Sequence, residues 1–189
     1  TGALEYDGYK LALTSLDTAN RQDVVTSLLK DVTTITTSTT SAETTHYSST
    51  IPSNTFGANR TLRMKILGNI KNNKGTSGTI TYRVKYGGTT IYTAIHTLVD
   101  SLQIRAVEIK CEIQALNSAT SQVASCESKM GGLTTTAGSG AAMQDHYYAQ
   151  YRGLTLNTAT DLGLVFTIEM SASSTNFVVI TDSVIVEYL

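Results

Sequence analysis

From Thr61 to Tyr188 the chain carries an apolar residue at every second position. Leu62, Met64, Ile66 and Ile70 alternate with Arg63, Lys65 and Asn69, and Leu162, Leu164, Phe166, Ile168 and Met170 alternate with Gly163, Thr167 and Glu169. Only an extended strand has a side-chain period of two, so each run can bury one face and wet the other. Gly, Asn, Ser or Asp breaks the pattern about every eight to twelve residues, the spacing of strands joined by turns. No helical stretch is long enough to cross over between parallel strands. The expected fold is all-β, an antiparallel β-sandwich of jelly-roll type with a short N-terminal extension; an eight-stranded closed barrel is the alternative.

Two regions are expected. Residues 1–43 read as an N-terminal extension: a hairpin over Leu4–Leu13 about Asp7-Gly8, a short helix or strand over Arg21–Lys30, and a Thr-rich linker. Residues 44–189 read as the sandwich domain. Within it Gly87-Gly88 predicts a two-residue hairpin that sets Val84 opposite Ile91 and Ile80 opposite Ile95. Leu162–Ser171 and Asn176–Thr181 are expected to pair about Ser173-Ser174, with Ser183–Leu189 as a closing strand. A turn centred between Ser118 and Ala119 sets Cys111 opposite Cys126, Ile113 opposite Ala124, Ile109 opposite Ser128 and Lys110 opposite Glu127. A disulfide is possible in that register, but the expectation is two reduced core thiols, in line with cytosolic assembly.

Charged residues make up 15% of the chain, against about 25% in ordinary soluble domains. Thr and Ser take the exposed positions, which suits strands that pair or pack with other chains. A net charge of −1 provides no basic field for a phosphate backbone, so nucleic acid is not an expected partner. No run reaches the roughly 20 apolar residues of a transmembrane helix, and no membrane insertion is expected. The chain begins at Thr1 rather than Met and is expected to be a processed product or a fragment of something longer.

Chemistry is sparse. His46, His96 and His146 lie in separate segments with no nucleophile elbow or reactive-cysteine context, and each reads as a turn or surface residue, so no catalytic residue is assigned. No paired Cys or His spacing and no calcium-loop pattern is present, so no metal and no cofactor is expected. Asp145, Asp161 and Glu169 show no pairing of the kind a glycosidase needs. The surface candidate is Asp145–Arg152, where His146, Tyr148, Gln150 and Arg152 form a candidate ligand-binding set able to stack on a sugar and bond its hydroxyls. In a strand Tyr147 and Tyr151 share one face with Ala149, while His146, Tyr148 and Gln150 share the other. Half of these aromatics are therefore expected in the core or in a subunit interface.

Two stretches carry a resemblance. Leu4-Glu5-Tyr6-Asp7-Gly8-Tyr9-Lys10-Leu11-Ala12-Leu13-Thr14, followed by Arg21, resembles a module that recurs in bacteriophage tail fibre and other virion structural proteins. Thr61–Gly68 with Gly78–Ile91 is similar to the pattern of C-terminal domains in such proteins. Lys65 and Lys85 depart from it, and no shaft repeat is visible. The resemblance implies a virion location and a non-enzymatic tail fibre or spike domain, a homotrimer that contacts other virion proteins and a host-surface glycan. A capsid or head-decoration protein is the second reading, and a carbohydrate-binding or carbohydrate-active jelly roll the third.

Overall fold

The computed structural model describes residues 3–6, 11–14, 22–23, 27–132 and 146–189, with side chains over 29–131 and 147–189. Every regular element among the described residues is a β-strand. Strands β1 (Ala3–Tyr6), β2 (Leu11–Thr14) and β3 (Gln22–Asp23) form a small antiparallel sheet with Leu4 opposite Leu13. The segment open to helix or strand is extended at Gln22–Asp23 and again at β4 (Ser27–Asp31), with residues 24–26 outside the described set.

The larger sheet has the order β12-β11-β10-β7-β14-β4, with β5 (Ile35–Thr37) also paired to β14. Its long members are β7 (Thr61–Asn72), β10 (Ile104–Ala115), β11 (Gln122–Gly132), β12 (His146–Leu154) and β14 (Phe177–Tyr188). The smaller sheet is β6 (Thr44–Ile51), β13 (Leu162–Met170), β8 (Gly78–Tyr86) and β9 (Thr89–Leu98), in that spatial order. The pairings nest: β10 with β11 innermost, β8 with β13 around it, and β7 with β14 outermost. This concentric antiparallel ribbon, folded into two layers, is the jelly-roll type of sandwich. The periodicity expresses itself directly, since Leu62, Met64, Ile66 and Ile70 from one sheet and Leu164, Phe166, Ile168 and Met170 from the other are all buried in a single core cluster.

Three local expectations are corrected. β13 and β14 do not form a hairpin: β13 pairs with β6 and β8, and β14 with β7, β4 and β5, so the connection crosses from one sheet to the other. Alternation marks a strand but is silent on which layer it joins. β14 also continues past Asp182 as one strand, with a bulge between Thr181 and Ser183 in place of a break. Finally, the Gly87-Gly88 turn, both glycines at positive φ (54° and 75°), pairs Tyr86 with Thr89 and Lys85 with Thr90, but a bulge then inserts Ile91. Beyond it Val84 faces Tyr92 and Ile80 faces His96. Buried positions become Tyr92, Ala94, His96 and Leu98, and Ile95 is 53% exposed.

The cysteine hairpin has the predicted register: Cys111 faces Cys126, Ile113 faces Ala124, Ile109 faces Ser128 and Lys110 faces Glu127. The expectation of reduced thiols is corrected, because the two cysteines are joined in a disulfide with Cα atoms 4.1 Å apart. Directly opposed residues on neighbouring strands bring their Cβ atoms within reach, and nothing intervenes.

Most of the ion pairs lie on the outer faces, while Arg105 on β10 is buried at 4% exposure on the same face as Val107 and Ile109. Arg63 on β7 lies between its register partners Glu112 on β10 and Glu187 on β14, with N···O distances of 2.8 and 3.1 Å. Lys65 reaches Glu108, and Lys110 reaches Glu112. On the other sheet Glu43 meets Lys85 at 2.6 Å and Arg83 at 3.4 Å, while Arg83 holds Glu169 at 2.7 Å. Hydrogen bonds from Lys85 and Thr167 hold the Glu43 carboxyl below the usual carboxylate range. Several of these pairs join neighbouring strands, as Arg63 with Glu112 and Glu187 and Arg83 with Glu169 do.

Candidate functional site

A two-layer sandwich leaves two open sides where edge strands of different sheets face each other. Side chains close both. On one side β6 edges the smaller sheet, and His46 stands between β5 and β14 of the larger. Its Nε2 lies 2.7 Å from Thr37 Oγ1 and its Nδ1 lies 2.8 Å from Thr181 Oγ1. A hydroxyl can donate or accept, so a neutral imidazole is satisfied at both nitrogens in either tautomer. Burial pushes the His46 imidazole down to about 4, because the charged form loses its hydration there.

On the other side β12 edges the larger sheet and β9 the smaller. β12 lends three contacts to β9. Gln150 Oε1 accepts the Thr93 backbone N–H at 2.9 Å, Arg152 Nη1 donates to the Thr90 carbonyl, and the Tyr148 carbonyl accepts from the Tyr92 hydroxyl at 3.4 Å. Burial pushes the Tyr92 hydroxyl up to about 12, which keeps it a donor. The Tyr148 ring packs edge-on to His96, with centroids 5.5 Å apart, and His96 Nε2 bonds Ser128 Oγ at 2.9 Å. Both described histidine side chains are thus buried, His46 at 2% and His96 at 1% exposure, which corrects the reading of them as turn or surface residues. A row of rings joins the two sides through the core: His46, Phe166, Tyr82, His96 and Tyr148, each 5.5–6.2 Å from the next.

Of the four sequence candidates, Tyr148, Gln150 and Arg152 come together on the β9 side of β12. His146 is in the strand, opposite Met130, but its side chain lies outside the described residues. Tyr147 takes the opposite face with Ala149, as the alternation predicts, and is 60% exposed, while Tyr151, 73% exposed, borders the groove beside Gln150 and Arg152. Tyr147 donates its hydroxyl to Glu127 Oε2 at 3.0 Å, holding that carboxyl below its usual range. Among the described residues all three exposed aromatics lie on β12, whereas Tyr47, Tyr82, Tyr86, Tyr92, Tyr188 and all three phenylalanines are buried.

Beside this strand is a groove of about 420 Å³ lined by Thr90, Ile91, Tyr92, Thr93, Gln150, Tyr151 and Arg152. Its β9 wall is the bulge at Ile91. A bulge interrupts the ladder and re-aims neighbouring groups, and here Thr90 and Thr93 offer their backbone to β12. The β9 residues were missed in the sequence because Thr90–Thr93 has no chemistry-bearing side chain beyond hydroxyls. The turn glycines were the available signal that a bulge could follow.

No other chemistry gathers among the described residues. No group of three or more His, Cys, Asp or Glu side chains converges as a metal site would require. Of the acidic candidates, Asp161 Oδ1 accepts the Ser53 backbone N–H and Glu169 is paired to Arg83; Asp145 lies outside the described residues. No helix is long and apolar enough to cross a membrane.

No family model matches the sequence, and no curated protein does. Solved structures similar to the chain include the CBM2 module of the evolved Dit of Lactobacillus casei BL23 phage J-1, at 11% identity and a TM-score of 0.36, covering 74% of this chain and 67% of that one. Infectious bursal disease virus Gx strain matches at 13% identity and a TM-score of 0.30, over 99% of this chain and 50% of that one. The VP2 subviral particle of the same virus matches at 12% identity and a TM-score of 0.27, with 97% and 49% covered. The chain thus spans about half the length of the bursal disease virus chains. With scores this low the fold assignment rests on the strand pairing and register described above.

Proposed function

We propose that this chain is a non-enzymatic virion structural protein, a tail fibre or spike domain that assembles as a homotrimer and attaches to host-surface glycan through the β9–β12 side of its sandwich. The observation that carries the reading is the placement of every described exposed aromatic on one edge strand, β12, next to a polar groove. Tyrosine rings with nearby amide, hydroxyl and guanidinium groups match the mixed apolar and polar surface of a sugar. Ion pairs cross the outer faces of both sheets, and the exposed aromatic rings gather on the β12 edge. The motif resemblance supports the virion assignment, and its second stretch corresponds to β7, β8 and the start of β9.

The test is glycan-array and host-cell binding by the full chain, with light scattering for mass and immunogold labelling of particles. Binding, a trimer mass and tail labelling are expected. Head labelling without tail labelling replaces the fibre role with head decoration, a monomer mass removes the trimer, and no binding to any glycan or cell removes the attachment role.

A further inference from the structure

We propose that the groove between β9 and β12 is a subsite for a carboxylate-bearing sugar residue, such as a uronate; the proposal deepens the attachment reading above and rests on it. Its volume of about 420 Å³ lies within the roughly 300–1,000 Å³ of small-molecule sites. Tyr151 stands at its rim, 73% exposed, a ring able to stack on the apolar face of a pyranose. Gln150 has its carbonyl oxygen committed to the Thr93 N–H, and its amide N–H₂ is a further donor in a residue that lines the groove. Thr90 and Thr93 add hydroxyls.

Charge then selects the ligand. Among the described residues Arg152 is the one charged residue in the lining, and none of the others there is a carboxylate. Among the described residues one of its N–H donors is engaged, by the Thr90 carbonyl, which anchors the guanidinium beside the groove and leaves its other donors open. A planar guanidinium fork matches a carboxylate in two-point contact. Phosphate groups are held by several cations or by a helix N-terminus, and this groove has neither. The bulge at Ile91 is the device that makes the subsite, because it carries the Thr90 carbonyl to Arg152 and the Thr93 N–H to Gln150.

The experiment is binding of the full chain to oligogalacturonate, to its methyl ester, and to array sets of neutral, sialylated, sulfated and phosphorylated glycans. Carboxylated glycans should bind, with affinity falling about tenfold or more on methyl esterification, the loss expected for a charge-assisted pair. Tyr151→Ala, at a position with no core contact to lose, should weaken binding by a similar factor with unchanged thermal unfolding. Arg152→Lys keeps charge but loses the fork, and should bind weakly while the fold persists. Equal binding of acid and ester, a preference for neutral, sulfated or phosphorylated glycans, or indifference to Tyr151→Ala overturns the subsite and leaves attachment standing. Binding to no glycan and no cell overturns both.

Discussion

Thr93 on β9 donates its backbone N–H to Gln150 Oε1 on β12 at 2.9 Å, a bond between edge strands of two different sheets. A side chain here takes the place of a ladder. Gln150→Ala should therefore loosen the β9 edge locally. Amide exchange at Thr93 is expected to quicken clearly, while global stability falls by only about 1 kcal/mol or less, because the freed N–H meets water. Unchanged exchange at Thr93 would show that the bond does not persist in solution.

His46 sets a pH dependence. Its imidazole titrates near 4 in the fold and near 6.5 when unfolded. Below pH 6.5 the unfolded chain therefore takes up the proton first, and stability declines from about 6.5 down to about 4, after which this group has no further effect. The full decline is on the order of 3 kcal/mol. Carboxylates such as Glu43 and Glu127, held below their usual range, add their loss only below about 4.5. Urea unfolding across pH, together with the NMR titration of the His46 ring, checks this; a midpoint near 6.5 would contradict it.

The Cys111–Cys126 disulfide closes a hairpin with a sequence separation of 15. A loop of that length limits the unfolded chain by about 3 kcal/mol in the chain-entropy account. Comparing urea midpoints with and without reductant should give a loss of that order, with the sandwich still folded in mild conditions.

Gly68 on β7 lies against the backbone of β14. A Cβ built there would collide with the Ile180 carbonyl oxygen and press on the Thr181 Cα at 3.2 Å, beside the bulge in β14. Both obstacles are backbone and neither can swing away. Gly68→Ala should cost about 2 kcal/mol or more, read as a drop in thermal midpoint. A neutral result would mean that the β7–β14 spacing relaxes.

Ile95 tests the bulge. In the bulged register it is exposed and His96 is buried, so Ile95→Lys should change stability by no more than about 0.5 kcal/mol. In the unbulged register the same change would bury a lysine against Ile80 and unfold the domain.

These cases also show what could be read from the residues alone. The cysteine hairpin was legible to the pair, because Ile109, Cys111 and Ile113 admit one register against Ala124, Cys126 and Ser128. The β9 register was not, since Ile91 and Tyr92 are both apolar and alternation cannot tell which is the inserted one. The bond from His46 to Thr181 joins residues 135 apart, and no local pattern encodes it. For the candidate site, the shared face of Tyr148 and Gln150 followed from strand period. That this face turns toward β9 depends on which layers β9 and β12 join, and that is a property of the whole topology.

The position of β14 has a consequence for biosynthesis. It sits inside the larger sheet, between β7 and β4 with β5, and the backbones of Thr61 and Leu189 clasp each other by two bonds. Yet a ribosome makes it after every other strand described here. Until it emerges, β7 has one side bare and β4 and β5 have no neighbour to join, so the larger layer closes only once translation has passed residue 188. Nascent chains that stall short of that point would expose a ready template for pairing with one another.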